Sequence, residues 1–155
     1  MIVEQQLEQA VINAINEKLS EKEITTIAVN GMLQTADNKG LEQDDKDGYI
    51  FIKATPRQYQ TPTTPECQIG IKLALTLRSD IDYNGVKFSE VFETLIDLFE
   101  QWQKCLDDVH TLFSIENKFN CTGFQLSAGD TNTDSSQKVW AYVHDMIIYG
   151  VVINT

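Results

Sequence analysis

The sequence predicts an α+β domain, with one mostly antiparallel or mixed β-sheet and two long helices packed on one of its faces. Three observations carry this. CQIGIKLALTLR (67–78) alternates strictly, with Cys67, Ile69, Ile71, Leu73, Leu75 and Leu77 on one side and Gln68, Lys72, Thr76 and Arg78 on the other. Such a half-wet strand belongs to an antiparallel sheet covered on one face. Two segments, 2–20 and 88–106, instead repeat apolar residues at spacings of three and four, the helical period. Their order along the chain is helix, two or three strands, helix, two strands, which fits one sheet and one helical layer.

Each element follows from its own pattern. In 2–20, Val3, Leu7, Ala10, Val11, Ala14, Ile15 and Leu19 form the apolar stripe, while Glu4, Gln5, Gln9, Asn13 and Glu17 fill the other face. A short strand follows over 24–32. QTADNKGLEQDDKDG (34–48) has no period and reads as a long solvated loop, with Asp37, Glu42, Asp44, Asp45 and Asp47 as a candidate assembly loop. GYIFIKAT (48–55) is a strand stopped by Pro56, which has no N–H for a ladder. RQYQTPTTPE (57–66) is a second loop.

The stripe of 88–106 is Phe88, Val91, Phe92, Leu95, Leu98, Phe99, Trp102 and Leu106, a core-facing set rather than a cofactor box. FSIENKF (113–119) alternates as a strand through Phe113, Ile115 and Phe119. At Thr122–Gly123 the apolar parity changes by one, so that Phe124 and Leu126 carry it on; this predicts a bulge or tight bend. AGDTNTDSSQK (128–138) reads as a polar loop.

The last strand, WAYVHDMIIYGVVI (140–153), is apolar on both faces. Two long helices can cover only one side of a sheet. A second apolar side marks an interface, and a symmetric homo-oligomer is the default partner. The expected interface is the even-numbered set Trp140, Tyr142, His144, Met146 and Ile148.

Composition sets the outer limits. A chain of 155 residues fits one domain, 1–155, able to bury roughly 68–70% of its unfolded surface without disulfides or metal. The N-terminal stretch MIVEQQLEQAVINAI lacks the basic start and unbroken apolar run of a signal peptide, and no run is long enough to span a membrane, so a cytoplasmic protein is expected. Cys67, Cys105 and Cys121 are odd in number, without a CxxC pair, and read as reduced, mostly buried thiols. The net charge of −11, with two arginines and ten scattered lysines, argues against tight nucleic-acid binding.

Chemical motifs are weak. Aligning Gly48 with the EF-hand glycine places Asp45 and Asp47 well, but the first and twelfth ligand positions become Gln43 and Ala54. No calcium site, cofactor or other metal is therefore expected. There is no GxSxG, HExxH or P-loop. His110 lies five residues from Cys105, off its helix face, and His144 and Asp145 are neighbours on a strand that face opposite ways. A non-enzymatic protein is the expectation.

The succession EQQLEQAVINAI, GYIFIKA, ECQIGIKLALTLR, EVFETLIDLFEQW, a polar loop and VWAYVHDMIIYGVV, with Trp140 opening the last strand, resembles the tail terminator (tail completion) proteins of long-tailed bacteriophages. The resemblance implies a structural protein that forms a ring, of six subunits, capping the tail tube. Its partners would be further copies of itself, the tail tube protein and a head-connector protein. Genome DNA would pass through the ring without specific binding. The protein would be found in the bacterial cytoplasm during assembly and then in the virion tail. Long loop 34–47 and the prolines at 56, 62 and 65 depart from that pattern. The residues themselves leave two other readings open, a non-enzymatic adaptor or chaperone-like binding module and a small enzyme with a site built from scattered acids and His144.

Overall fold

A computed structural model describes residues 2–24, 27–30, 48–78, 86–127, 130–134 and 139–153, with backbone alone at 27–30, 48–49, 76–78, 86–87, 130–134 and 139–142. The element order is α1 (Val3–Glu21), β1 (Ile27–Asn30), β2 (Gly48–Ala54), β3 (Gln58–Tyr59), β4 (Glu66–Arg78), α2 (Val86–Lys104), α3 (Leu106–Phe113), β5 (Phe119–Leu126), β6 (Asp130–Asp134) and β7 (Val139–Val152). This is the expected α+β fold. Its sheet runs β1-β2-β4-β7-β5, with β3 beside β4 and β6 beside β7. Only the β1–β2 pair is parallel among these contacts, so the sheet is mixed and mostly antiparallel.

The central ladder is the antiparallel pairing of β4 with β7, which engages all 13 residues of β4, from Glu66 opposite Val151 to Arg78 opposite Val139. Its register puts Ile69, Ile71 and Leu73 beside Ile148, Met146 and His144 on one face, and the β2 register adds Ile50 and Ile52 to that face. All are buried. Helix α1 lies against β1 and β2, and α2 and α3 lie against β5. The ring of Phe99 meets His144 edge-on at 6.2 Å, and Trp102 meets Phe113 and Phe124 at 5.2 and 5.6 Å. The helices thus share one face of the sheet, and each large side chain buried there contributes about 1.5–3 kcal/mol.

Helix α1 stops in a left-handed cap. Glu23 has φ 57°, its N–H donates to Ser20 O, and the Ile24 N–H donates to Leu19 O. These are the two bonds of a Schellman motif, which also turns Ile24 back against the core. The first strand therefore starts at Ile27, later than the apolar run at Ile24 suggested.

Three expectations are corrected. Residues 113–118 are not a strand: α2 breaks at Cys105 (φ −123°, ψ 92°), and a third helix runs to Phe113. A turn follows, with the Ile115 N–H donating to Phe119 O and Asn117 at φ 63°. Asn tolerates that conformation better than most residues. Phe113 and Phe119 are both buried, but from a helix end and a strand start, so their apolar spacing did not reveal the element. The polar stretch 128–138 contains β6, paired with Val139–Val143 of β7. Ladder bonds use the backbone, so a polar edge strand can form without an apolar pattern. The second loop likewise includes β3, paired with Cys67 and Gln68.

The expected parity change is a bulge. Cys121 faces Gly150 and Gly123 faces Tyr149, leaving Thr122 extra. Phe119 and Cys121 before it, and Phe124 and Leu126 after it, all join the core. Opposite the bulge, Gly150 leaves no room for a side chain. A Cβ there would lie 2.6 Å from Asn120 O and 2.7 Å from Phe119 Cε1, whereas at Gly123 the nearest atom is 3.7 Å away. Gly150→Ala is expected to lower unfolding stability by roughly 1–3 kcal/mol, and Gly123→Ala to change it by less than about 0.5 kcal/mol, both read from urea denaturation midpoints.

Candidate assembly surface

With α1, α2 and α3 on one face, the odd residues of β7 fall on the other. In register across β2, β4 and β7 this open face reads as rows: Phe51, Ala74, Val143; then Lys53, Lys72, Asp145. Further along, Ile147 lies between Gly70 and Gln125, and Tyr149 between Gln68 and Gly123. Val143 is 52% exposed, an unusual value for a valine in a central strand. Lys53, Lys72 and Asp145 are exposed, and Phe51, Ala74, Ile147 and Tyr149 are half-buried.

Gly70 shapes this face. The Thr55 N–H donates to Gly70 O at 2.8 Å, and the Gly70 N–H donates to Thr55 Oγ1 at 3.1 Å. A Cβ at Gly70 would lie 2.7 Å from that oxygen. The contact lets the edge pass from β2 through Pro56 into β3, and it leaves a shallow cavity of about 210 Å³ bordered by Gln58, Gln68, Lys72, Asp145 and Ile147.

The β2 edge is closed by two acids that sequence periodicity had not assigned to the interior. Among the described residues, β1 pairs with β2 as far as Asn30 opposite Ile52. Beyond that point Glu8 Oε2 accepts the Ala54 N–H at 2.9 Å, and Glu4 Oε2 accepts the Arg57 N–H at 3.1 Å. The Arg57 guanidinium also grips Glu4 with two bonds, Nε to Oε2 at 3.0 Å and Nη2 to Oε1 at 2.7 Å. Glu4 and Glu8 are four residues apart, hence on one helix face, and both are buried. They occupy backbone N–H groups of the Ala54–Arg57 segment, where an added strand would otherwise pair. A groove of about 470 Å³ lies beside them, bordered by Ile2, Gln5, Lys53 and Pro56. Arg57 holds the Glu4 carboxyl below its ordinary value, against the opposing pull of burial.

The expected interface set is corrected by the register. His144, Met146 and Ile148 are turned inward and are at most 4% exposed, so this protomer's own helices occupy that face. The side chains of Trp140 and Tyr142 lie outside the described residues, as do Asp37, Glu42, Asp44, Asp45 and Asp47 of the expected assembly loop. The available face of β7 is Val143, Asp145, Ile147, Tyr149 and Val151. Exposure of one valine, rather than apolar content, distinguishes it.

The nucleophile candidates are engaged in structural contacts. Cys67 and Cys121 are buried and Cys105 half-buried, all as free thiols. Burial pushes the Cys67 and Cys121 thiols up, away from the reactive thiolate. His110 Nδ1 donates to Cys121 O at 2.8 Å, and the Cys121 N–H donates to Ser114 Oγ at 3.0 Å. These bonds tie α3 to β5 just before the bulge. His144 Nε2 donates to Ser127 O in the core, and desolvation holds its pKa below 6.5. Among the described residues, no three His, Cys, Asp or Glu are grouped to hold a metal ion, and no helix is long and apolar enough to cross a membrane.

No protein-family model matches the chain, and no curated protein matches it in sequence.

Two pH windows follow. Glu4 has a lowered folded pKa, so its stabilisation is complete above about pH 4.5 and fades as pH falls through the folded value. Glu4→Gln is expected to cost roughly 1–3 kcal/mol at pH 7, less than a fully buried pair because Arg57 is 26% exposed, and the deficit should close in acid. His144 also has a lowered pKa. Its contribution is full above pH 6.5 and declines below it as the unfolded chain takes up the proton first. His144→Gln should flatten the stability profile between pH 7 and 5, measured by chemical denaturation.

Proposed function

We propose that this chain is a non-enzymatic structural protein of the phage tail terminator kind, whose copies join through the open sheet face into a ring. The observation that carries the reading is that face. It crosses the centre of the sheet, sets Phe51, Ala74 and exposed Val143 in one row, and has Ile147 and Tyr149 further along β7. A two-layer protein with an apolar-bearing central sheet face gains by covering it with a third layer, and a second copy supplies one. The succession of elements supports the same reading through its resemblance to tail terminators.

In this role the ring caps a tail tube and meets a head-connector protein, and the finished location is the virion tail. DNA passes through without being gripped, which suits a chain of net charge −11. An adaptor that covers the same face with an unrelated protein is the competing reading, and it predicts a monomer in isolation.

Light scattering coupled to size exclusion, with negative-stain images over a concentration series, tests the proposal. Rings or concentration-dependent oligomers are expected. Val143→Glu places a charge on the open face at an exposed position and should dissociate them, with the circular dichroism spectrum unchanged. A strict monomer at every concentration would refute the ring.

A further inference from the structure

Hairpin 57–66, which leads from β2 into β4, is held to the molecule unevenly. Strand β3 contributes two ladder pairs, Gln58 with Gln68 and Tyr59 with Cys67. The Gln60 N–H reaches Glu66 O only at 3.5 Å, and the Gln68 side-chain amide reaches Gln58 Oε1 at 3.4 Å. Pro62 and Pro65 have no N–H to give. Residues 58–63 are all exposed, and none of them belongs to the core. Arg57 is the exception. Its backbone N–H, Nε and Nη2 place bonds of 3.1, 3.0 and 2.7 Å on the buried Glu4 carboxylate of α1. Bonds to an ionised partner are roughly twice as strong as neutral ones.

Cys67 lies under this hairpin. Residues opposed across a ladder share a face, so Tyr59 stands beside the Cys67 thiol on the helix side of the sheet. On its other flank Cys67 faces Gly150, where the Phe119 ring occupies the space a side chain would take. The Tyr59 hydroxyl lies beside the Arg57 guanidinium, and the charges of Arg57 and Glu4 are both felt at the thiol. Tyr59, Arg57 and Glu4 therefore stand together over a cysteine that is 1% exposed, although Tyr59 itself is 48% exposed.

We infer that hairpin 57–66 is a hinged cover over Cys67, latched to α1 by Arg57 on Glu4, and that it opens while the rest of the sheet stays folded. Both of its ends are anchored independently of the latch. Upstream, Thr55 is bonded to the N–H and the O of Gly70, so the swing begins at Pro56. Downstream, β7 pairs with β4 from Glu66 onwards and holds that strand in place. Opening gives up the latch and two ladder pairs but little buried apolar area, which sets its cost below that of global unfolding. Access to a buried thiol is thereby placed under the control of one ion pair. This device is independent of the self-assembly reading.

Site-resolved alkylation of the full chain tests this. N-ethylmaleimide is added at one pH over a series of low urea concentrations, and Cys67 and Cys121 are read separately by peptide mass spectrometry. Cys121, buried on β5 away from the hairpin, reports opening of the core. Without urea, Cys67 is expected to react at least about tenfold faster than Cys121, and with a weaker urea dependence, because hairpin opening exposes little surface. Glu4→Gln should speed the Cys67 reaction by roughly tenfold, the worth of a hydrogen bond to a charged group, and keep the weak urea dependence. Arg57→Gln, which releases the latch from its other partner, should act in the same direction. Equal rates and equal urea slopes for Cys67 and Cys121 in the wild-type chain would overturn the inference, since the hairpin would then open only with the whole fold. A fast Cys67 whose rate neither variant changes would overturn the latch.

Discussion

Everything in this molecule hangs on the ladder between β4 and β7. Thirteen consecutive residues of β4 pair with β7; β2, β3, β5 and β6 each pair with one of these two, and β1 joins through β2. Backbone bonding over that length fixes the parity of both strands together. A slip of one residue would turn Ile69, Ile71 and Leu73 away from Ile148, Met146 and His144, exchanging buried for exposed side chains along the whole core. The helices then have a single face on which to pack, and the same register puts Ala74, Lys72, Val143 and Asp145 on the other.

The two ends of the sheet are handled differently. On the β2 side, the carboxylates of Glu8 and Glu4 accept the backbone N–H groups of Ala54 and Arg57 as the chain leaves the strand. Burying two acids on one helix face is tolerable only because each accepts backbone hydrogen bonds and Glu4 is also gripped by Arg57. On the β5 side, His110 and Ser114 satisfy the backbone of Cys121, and the bulge at Thr122 then resets the strand so that Phe124 and Leu126 return to the core. Polar side chains thus guard both edges while the broad face of the sheet carries the surface proposed for assembly.

Much of the fold was legible in the residues. Strict alternation from Cys67 to Leu77 announced β4, three-and-four spacing announced α1 and α2, and the parity change beside Gly123 announced the bulge. Less legible were elements whose order comes from backbone pairing with a distant partner. Strand β6 has a polar sequence and exists because the N-terminal half of β7 lies beside it. Glu4 looked like a solvent-facing acid and Glu8 carried no signal, since nothing local reveals that the Ala54–Arg57 backbone will arrive against them from about fifty residues away.

By itself the sequence determined that the last strand would be rich in apolar residues on both sides, since alternation fails there whatever the surroundings. It could not determine which side faces inward, because hydrophobicity offers no preference when both sides are apolar. The tertiary structure decided that through the β4 register, which assigns His144, Met146 and Ile148 to the helices and Val143, Asp145, Ile147 and Tyr149 to the open face. Parity belongs to a pair of strands, and only pairing can set it.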